Sequence, residues 1–150
     1  MRSIFPTHLN NLLLSMENIF EEIERLELPK DEFVVLGSGI LAALGIRESN
    51  DVDVLATAEL FATLRSGGGW KYEVVEINGT PREKLTKGVA EVFKDFRWQG
   101  GSMSPEEGIA SAVQIRGIYF LPLLRLREIK TQMGREKDVR DVALIDEYLA

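Results

Sequence analysis

The chain has 150 residues, of which 45% are hydrophobic, and this size and composition fit one globular domain with one core. Cysteine is absent, which excludes disulfides and thiolate metal sites, and the one histidine, His8, leaves no set of imidazoles for zinc. Any metal is therefore expected to be a hard cation held by carboxylates. The net charge of −6 argues against broad, non-specific binding to nucleic acid, although a local basic groove is compatible with it.

Membrane segments are not expected from the hydropathy of the chain. No apolar run approaches the roughly 18 residues that a membrane-spanning helix needs. The N-terminal stretch is interrupted by Asn, Glu and Ser where a signal peptide would be apolar. We therefore expect a cytoplasmic protein with no membrane partner.

The secondary-structure elements are predicted from apolar periodicity and from turn residues. In chain order they are a helix at 7–26, a strand at 32–36, a short helix at 40–44, a strand at 52–55, a helix at 58–64, strands at 72–77 and 89–96, a helix that begins at 104, a strand at 114–121, and helices at 122–133 and 136–148. The polar stretch NGTPREKLTKG between the third and fourth strands is predicted to be a hairpin connection.

This order of elements predicts an α/β (α+β) fold, in which helices pack on a mixed sheet of about four to five strands. We expect a single domain over residues 1–150. Its parts are an N-terminal helix at 7–26, a core at 32–121 and a C-terminal helical pair at 122–149.

The stretch LGSGILAALGIRESNDVDVL, residues 36–55, carries the main chemical signal. Its glycine turn matches G-x-G-x-x-A after a strand, the dinucleotide fingerprint in its loosest form. Against that interpretation, Gly45 cuts the following helix short, and the acidic residues lie at the start of the next strand and inside it rather than at its end. A dinucleotide-binding module remains an alternative on these grounds.

A second interpretation treats the turn and the two aspartates as one site. Residues i and i+2 of a strand point to the same side, about 6 to 7 Å apart, so Asp51 and Asp53 repel each other unless a cation lies between them. Carboxylate oxygens suit Mg²⁺, and the backbone N–H groups at Gly37 and Ser38 suit a phosphate. Together these features suit a nucleoside triphosphate.

The pattern of a Gly-Ser pair, twelve residues and then D-x-D resembles the DNA polymerase β nucleotidyltransferase superfamily. The resemblance implies a nucleotidyltransferase core in which Gly37 and Ser38 hold the triphosphate. It also implies that Asp51 and Asp53 bind two Mg²⁺ ions, with Mn²⁺ as an alternative ion. The nucleoside triphosphate would be the substrate.

The C-terminal run KTQMGREKDVRD, residues 130–141, looks like the K-x4-R-x-(K/R)-D-x2-D motif of one branch of this superfamily. That branch contains small stand-alone nucleotidyltransferases and type IV toxin relatives linked to abortive infection. Arg47, four residues before Asp51, resembles the R-x-x-x-D-x-D variant of the same branch. The resemblance implies nucleotide contacts from the basic residues and a motif role for the two acids: Arg47, Lys130, Arg135 and Lys137, with Asp138 and Asp141.

A third acidic residue on a neighbouring strand is also implied by the resemblance, as a base or metal ligand. Glu91 and Asp95 share one face of the predicted strand at 89–96. Glu91 is favoured because it lies mid-strand between apolar neighbours, and Glu73 and Glu76 are weaker candidates.

The resemblance implies Mg²⁺-dependent transfer of an NMP group from an NTP to a hydroxyl acceptor, on RNA, a protein or a small molecule. We expect the acceptor to bind in the cleft of a homodimer or on a partner protein, as in a toxin–antitoxin pair. Two alternatives stay open, a non-catalytic nucleotide-binding or partner-binding member of the fold and the dinucleotide-binding module.

Several of these residues also have plainer structural explanations. Asp51 and Asp53 could be solvated residues of an edge strand. The acids of the C-terminal run complement a helix dipole, with i,i+4 pairs Lys137–Asp141 and Glu136–Arg140. Trp98 is expected at the edge of the core rather than stacked on a base.

Overall fold

The computed structural model describes residues 13–77 and 79–150, and elements are numbered below within that part of the chain. Residues 7–12 of the predicted N-terminal helix lie outside it. The first helix, α1, spans Ile19–Glu24, and Leu14 instead forms an antiparallel bridge with Ser49. The prediction of a helix over 13–18 is therefore wrong. The backbone N–H of Ser15 donates to the Asn18 side chain at 2.8 Å, a local hydrogen bond that competes with helix.

The strands form two sheets within the described residues. They are β1 (Phe33–Leu36), β2 (Val52–Ala56), β3 (Lys71–Ile77), β4 (Thr80–Lys87), β5 (Ala90–Phe93), β6 (Phe96–Trp98), β7 (Gly101–Met103), β8 (Val113–Ile115) and β9 (Ile118–Phe120). The large sheet has seven strands in the order β3-β4-β5-β2-β1-β9-β8, and β6 and β7 form a separate hairpin. The pairs β2–β5 and β1–β9 are parallel, and the other pairs of the large sheet are antiparallel.

Helices pack on this mixed sheet, and the α/β (α+β) fold class is confirmed, although the sheet has more strands than predicted. After α1 they are a 3₁₀ turn (Lys30–Glu32), α2 (Gly39–Ala43), α3 (Ala58–Gly67), α4 (Pro105–Ser111), α5 (Leu123–Met133) and α6 (Glu136–Leu149). The last two lie where the C-terminal helical pair was predicted. No helix in residues 13–77 and 79–150 is long and apolar enough to cross a membrane.

Two predicted strands and one predicted connection are corrected by the structure. The polar stretch after Ile77 is largely strand β4, in which Arg82, Glu83 and Lys84 form ion pairs with other parts of the chain. The run 114–121 is a hairpin, because Arg116 (φ 51°) and Gly117 (φ 80°) adopt the positive φ values of a two-residue turn. The run 89–96 divides into β5 and β6, since Arg82 binds the carboxylate and carbonyl of Asp95 at the break.

The core lies around the two central strands. All four residues of β1 are buried, and so are four of the five residues of β2. The exception in β2 is Asp53, which is partly exposed at the end of the strand that faces the candidate site. Asp53 is therefore the one acidic residue in an otherwise apolar, buried strand. Because water is largely excluded there, the neighbouring groups have a strong effect on its pKa.

Candidate metal and phosphate site

Three carboxylates meet where β2 and β5 run side by side. The parallel register pairs Asp53 with Glu91, and Asp51 lies two residues before Asp53. One carboxylate oxygen from each of Asp51, Asp53 and Glu91 lies within 4.8 Å of the other two. The structure thus brings the favoured third acid to the two aspartates. It places the alternative, Asp95, on Arg82, whose Nε donates to Oδ1 at 2.6 Å.

Burial is the main cause that raises the pKa of Asp53 to about 7, and the negative charges of Asp51 and Glu91 contribute to the same rise. The ammonium group of Lys84 acts in the opposite direction. Three carboxylates this close cannot all ionise at low cost without a cation. Because the donor set is all carboxylate oxygen, it fits a hard divalent cation such as Mg²⁺.

The glycine turn lies directly against this cluster. Leu36, the last residue of β1, pairs with Asp53, and Gly37 follows with φ +57°. A Cβ added at Gly37 would lie 3.4 Å from Oδ2 of Asp53, so the backbone of the turn faces the carboxylate. Helix α2 has five residues, and backbone N–H groups of the turn, rather than a helix dipole, are available for a phosphate.

Two serine side chains connect the turn to the strand of aspartates. The hydroxyl oxygens of Ser38 and Ser49 lie 2.6 Å apart, and the Ser49 hydroxyl donates to the backbone carbonyl of Asp51 at 2.9 Å. Ser49 is 3% exposed, and its backbone pairs with Leu14. Ser49 was not predicted from the sequence. The signal that could have identified it is a serine two residues before Asp51, because a serine hydroxyl often bonds to nearby backbone groups.

The strand pairing also bears on the dinucleotide alternative. That fingerprint belongs to a βαβ unit whose two strands are parallel and joined by a crossover helix. Here β1 and β2 pair antiparallel, and α2 between them is a single short helix. The arrangement argues against a dinucleotide-binding module.

Three of the four basic residues expected at the triphosphate form ion pairs with the two acids of the C-terminal run. Arg47 donates to Asp141 through Nε at 2.7 Å and through Nη2 at 2.8 Å. Lys130 Nζ lies 2.9 Å from Oδ2 of Asp141 and 3.4 Å from Oδ1 of Asp138. Arg135 Nε donates to Asp138 at 2.6 Å. Asp138 and Asp141 therefore bind these cations rather than facing solvent.

The two acids and Lys130 are buried, whereas the side chains of Arg47 and Arg135 are 34% and 53% exposed. Asp138, Asp141 and Lys130 are 0%, 4% and 6% exposed. Burial alone would raise the pKa of Asp141, but hydrogen bonds from Arg47 and Lys130 outweigh it and hold the pKa at about 2. The expected Glu136–Arg140 pair is present at 2.8 Å on the exposed face of α6. The expected i,i+4 pair of Asp141 with Lys137 is not formed, and Asp141 binds Arg47 and Lys130 instead.

A cavity of about 560 Å³ opens in front of the cluster and extends to α5 and α6. Its walls include almost every residue singled out from the sequence, namely Gly37, Ser38, Arg47, Asp51, Asp53, Glu91, Lys130, Arg135, Lys137 and Asp141. Asp138 does not line the cavity, and neither do the other candidates for the third acid, Asp95, Glu73 and Glu76. The far wall carries Phe96 and Trp98, whose ring centroids are 5.0 Å apart. Trp98 is 8% exposed, as expected for the core edge, and its indole N–H donates to Gln132 at 2.6 Å.

Comparison with protein-family models, curated proteins and solved structures finds no match to this chain. The resemblance to the polymerase β superfamily therefore rests on the residues of this chain. What the fold adds is their arrangement, with three acids, a glycine turn and a cavity at one end of the central strands.

Proposed function

We propose that this protein is a Mg²⁺-dependent nucleotidyltransferase that moves an NMP group from a nucleoside triphosphate to a hydroxyl acceptor. One observation carries the proposal. The carboxylates of Asp51, Asp53 and Glu91 have oxygens within 4.8 Å of one another, and they lie beside the backbone of the Gly37-Ser38 turn. A cation site and a phosphate site are thus adjacent, as a metal-bound triphosphate requires.

Each group has a defined task in such a reaction. Asp51, Asp53 and Glu91 would hold Mg²⁺, which when bound supplies charge neutralisation and polarises phosphoryl oxygens. The turn at Gly37 would bind phosphate oxygens through backbone N–H groups. The acceptor oxygen would form a bond to the α-phosphorus, pyrophosphate would leave, and the hydroxyl proton would pass to a carboxylate of the cluster.

The positive charges around the cavity fall into two groups. In the first group the cations are paired with carboxylates: Arg47, Lys130 and Arg135 with Asp138 or Asp141, and Arg82 with Asp95. Lys137 and Arg97 also line the cavity, and both side chains are exposed. These two residues can give positive charge to a triphosphate without breaking a buried ion pair.

The cavity volume lies within the usual range for small-molecule sites, and its apolar wall offers a surface for a nucleobase. The acceptor class stays open between RNA, a protein and a small molecule. A second copy of the chain or a partner protein would complete the acceptor side, including the arrangement of a toxin–antitoxin pair.

Nucleotide binding is tested by thermal unfolding with ATP, CTP, GTP or UTP, each with Mg²⁺ and with EDTA. We expect one or more nucleotides to raise the melting temperature only with Mg²⁺. Asp51→Asn and Asp53→Asn should abolish the effect, whereas Asp31→Asn, an exposed carboxylate outside the cavity, should retain it.

Transfer is tested with NTPs labelled at the α- or the γ-phosphate, incubated with total RNA, with cell protein and with small hydroxyl compounds. Label should enter an acceptor from the α position and never from the γ position. Nucleotide binding that ignores Mg²⁺ and is unchanged in the aspartate variants would contradict the proposal.

A non-catalytic nucleotide-binding protein is the second candidate. One observation favours it, because the ammonium group of Lys84 lies 3.6 Å from Glu91 and partly neutralises the third carboxylate. Binding that depends on Mg²⁺ and on Asp53, without transfer to any of the three acceptor classes, would select this candidate.

A further inference from the structure

Lys84 approaches the carboxylate cluster from β4, on the side away from the glycine turn. Its Nζ lies 3.4 Å from Oε1 of Glu73 and 3.6 Å from Oε2 of Glu91. The register explains this position. Lys84 is directly opposite Glu73, and the pairing of Thr86 with Glu91 places Lys84 diagonally from Glu91.

This contact is the inner end of a row of alternating charges across the sheet. Lys71 Nζ lies 3.7 Å from Glu73, Glu73 pairs with Lys84, Lys84 pairs with Glu91, and Glu91 lies beside Asp53. Lys71 at the outer end is 75% exposed, whereas Glu73, Lys84 and Glu91 are 34%, 16% and 30% exposed. Because water screens the inner pairs less, the charge of Lys84 acts on the cluster more strongly than that of Lys71.

The charges indicate what Lys84 does there. Three ionised carboxylates carry three negative charges, and Lys84, which Glu91 shares with Glu73, adds at most one positive charge to the two of a divalent cation. Without Lys84, one divalent cation would leave a net negative charge, and the cluster would attract cations more strongly. The ammonium group and the metal therefore compete for the same carboxylate, Glu91.

We propose that Lys84 is a resident counter-ion of the Asp51–Asp53–Glu91 cluster, which sets its affinity for divalent cations by competing with them for Glu91. The proposal rests on the proposed function in one respect only, that the cluster binds a divalent cation. An ordinary sheet ion pair, by contrast, would leave metal affinity unchanged when Lys84 is replaced.

The test is a titration of the metal-stripped full chain with Mn²⁺ and no nucleotide, with free Mn²⁺ followed by electron paramagnetic resonance. Lys84→Gln should bind Mn²⁺ about tenfold more tightly, since a charge 3.6 Å from a ligand is removed from a partly buried site. Lys84→Arg keeps the charge and should stay within about twofold of the wild type.

Two further variants test the same proposal: one should weaken Mn²⁺ binding, and the other should leave it unchanged. Glu73→Gln removes the other partner of Lys84, so the ammonium group rests on Glu91 alone, and Mn²⁺ binding should weaken about two- to threefold. Lys71→Gln removes a lysine from the exposed end of the same row and should leave the affinity unchanged. Circular dichroism of each metal-free variant checks folding, and Glu73→Gln keeps the test decisive if Lys84→Gln does not fold.

The outcomes separate this proposal from the proposed function. Equal Mn²⁺ affinity in the wild type, Lys84→Gln and Glu73→Gln overturns the counter-ion and leaves the metal site intact. Binding by Lys84→Gln but not by the wild type supports the counter-ion in its strongest form. No Mn²⁺ binding by any variant overturns both, because the cluster then holds no divalent cation.

Discussion

Arg47 and Asp141 are 94 residues apart and form a two-pronged ion pair, with Nε 2.7 Å from Oδ1 and Nη2 2.8 Å from Oδ2. The pair joins the loop before β2 to helix α6. Lys130 adds a third contact to the same carboxylate at 2.9 Å. The C-terminal helices are thereby attached to the loop that leads to Asp51 and β2.

Asp141→Asn is expected to lower the free energy of unfolding by about 3 to 5 kcal/mol, because it leaves Arg47 and the buried Lys130 with reduced neutralisation. Urea denaturation at pH 7 followed by circular dichroism measures the change. The matched control is Glu136→Gln, which removes an exposed ion pair on the same helix and should have little effect. Equal urea midpoints for the two variants would show that the buried network does not stabilise the fold.

Gly37→Ala and Gly88→Ala separate backbone strain from contact with the cluster. The two glycines have nearly equal φ angles, +57° and +58°, so each substitution should cost about 1 kcal/mol of stability. An added Cβ at Gly37 lies 3.4 Å from Asp53, whereas at Gly88 it meets nothing within 4 Å. We expect Mn²⁺ and nucleotide affinity to fall only in Gly37→Ala, as measured by calorimetric titration. The same loss in both variants would refute a role for the turn in binding.

The raised pKa of Asp53 predicts how stability depends on pH when metal is removed. The carboxyl has a usual pKa of 3.8 and a folded pKa of about 7, so between these values the folded chain retains a proton that the unfolded chain releases. In EDTA this group therefore lowers the stability as pH rises from about 4 to 7.

Asp53→Asn removes that pH dependence. A pKa raised from 3.8 to about 7 corresponds to about 4 kcal/mol, so the variant should exceed the wild type by at most about this amount at pH 8 and by little near pH 4. Denaturation curves at pH 4, 6 and 8 in EDTA, with Asp31→Asn as the control, check the difference. A gap that stays constant across pH would contradict it.

Metal binding should depend on pH through the same carboxyl. A divalent cation binds the ionised form, so below about pH 7 it must displace a proton from Asp53. The affinity for Mn²⁺ is expected to rise about tenfold per pH unit up to pH 7 and to level off above it. Calorimetry at pH 6 in buffers with different ionisation enthalpies should show about one proton released per ion bound. Binding without proton release would locate the metal elsewhere.

The local part of the site followed from the sequence because it depends on short-range rules. A period of two puts Asp51 and Asp53 on one side of a strand, and the same period separates Glu91 from its apolar neighbours. A glycine after a short apolar run marks a turn with positive φ, which Gly37 has. Each of these inferences needs only a few consecutive residues.

The rest of the site could not be predicted in this way. Strand β4 carries so many charges that the sequence predicts a connection there. In the fold, Lys84 pairs with Glu73 of β3 and Glu91 of β5. Glu83 pairs with Arg65 of α3 and with Lys94. The strand prediction over 114–121 missed the Arg116-Gly117 turn, since a positive φ at arginine has no clear composition signal.

The sequence alone was sufficient for the acids, the glycine turn and the α/β class, because strand periodicity and turn chemistry are local. Only the folded chain decides which charges remain available to a ligand. The sequence motif predicts triphosphate contacts from Arg47, Lys130 and Arg135. In the folded chain these three residues form ion pairs with Asp138 and Asp141. The reason is physical, since a buried charge must be paired, and its partner comes from wherever packing brings an opposite charge within reach.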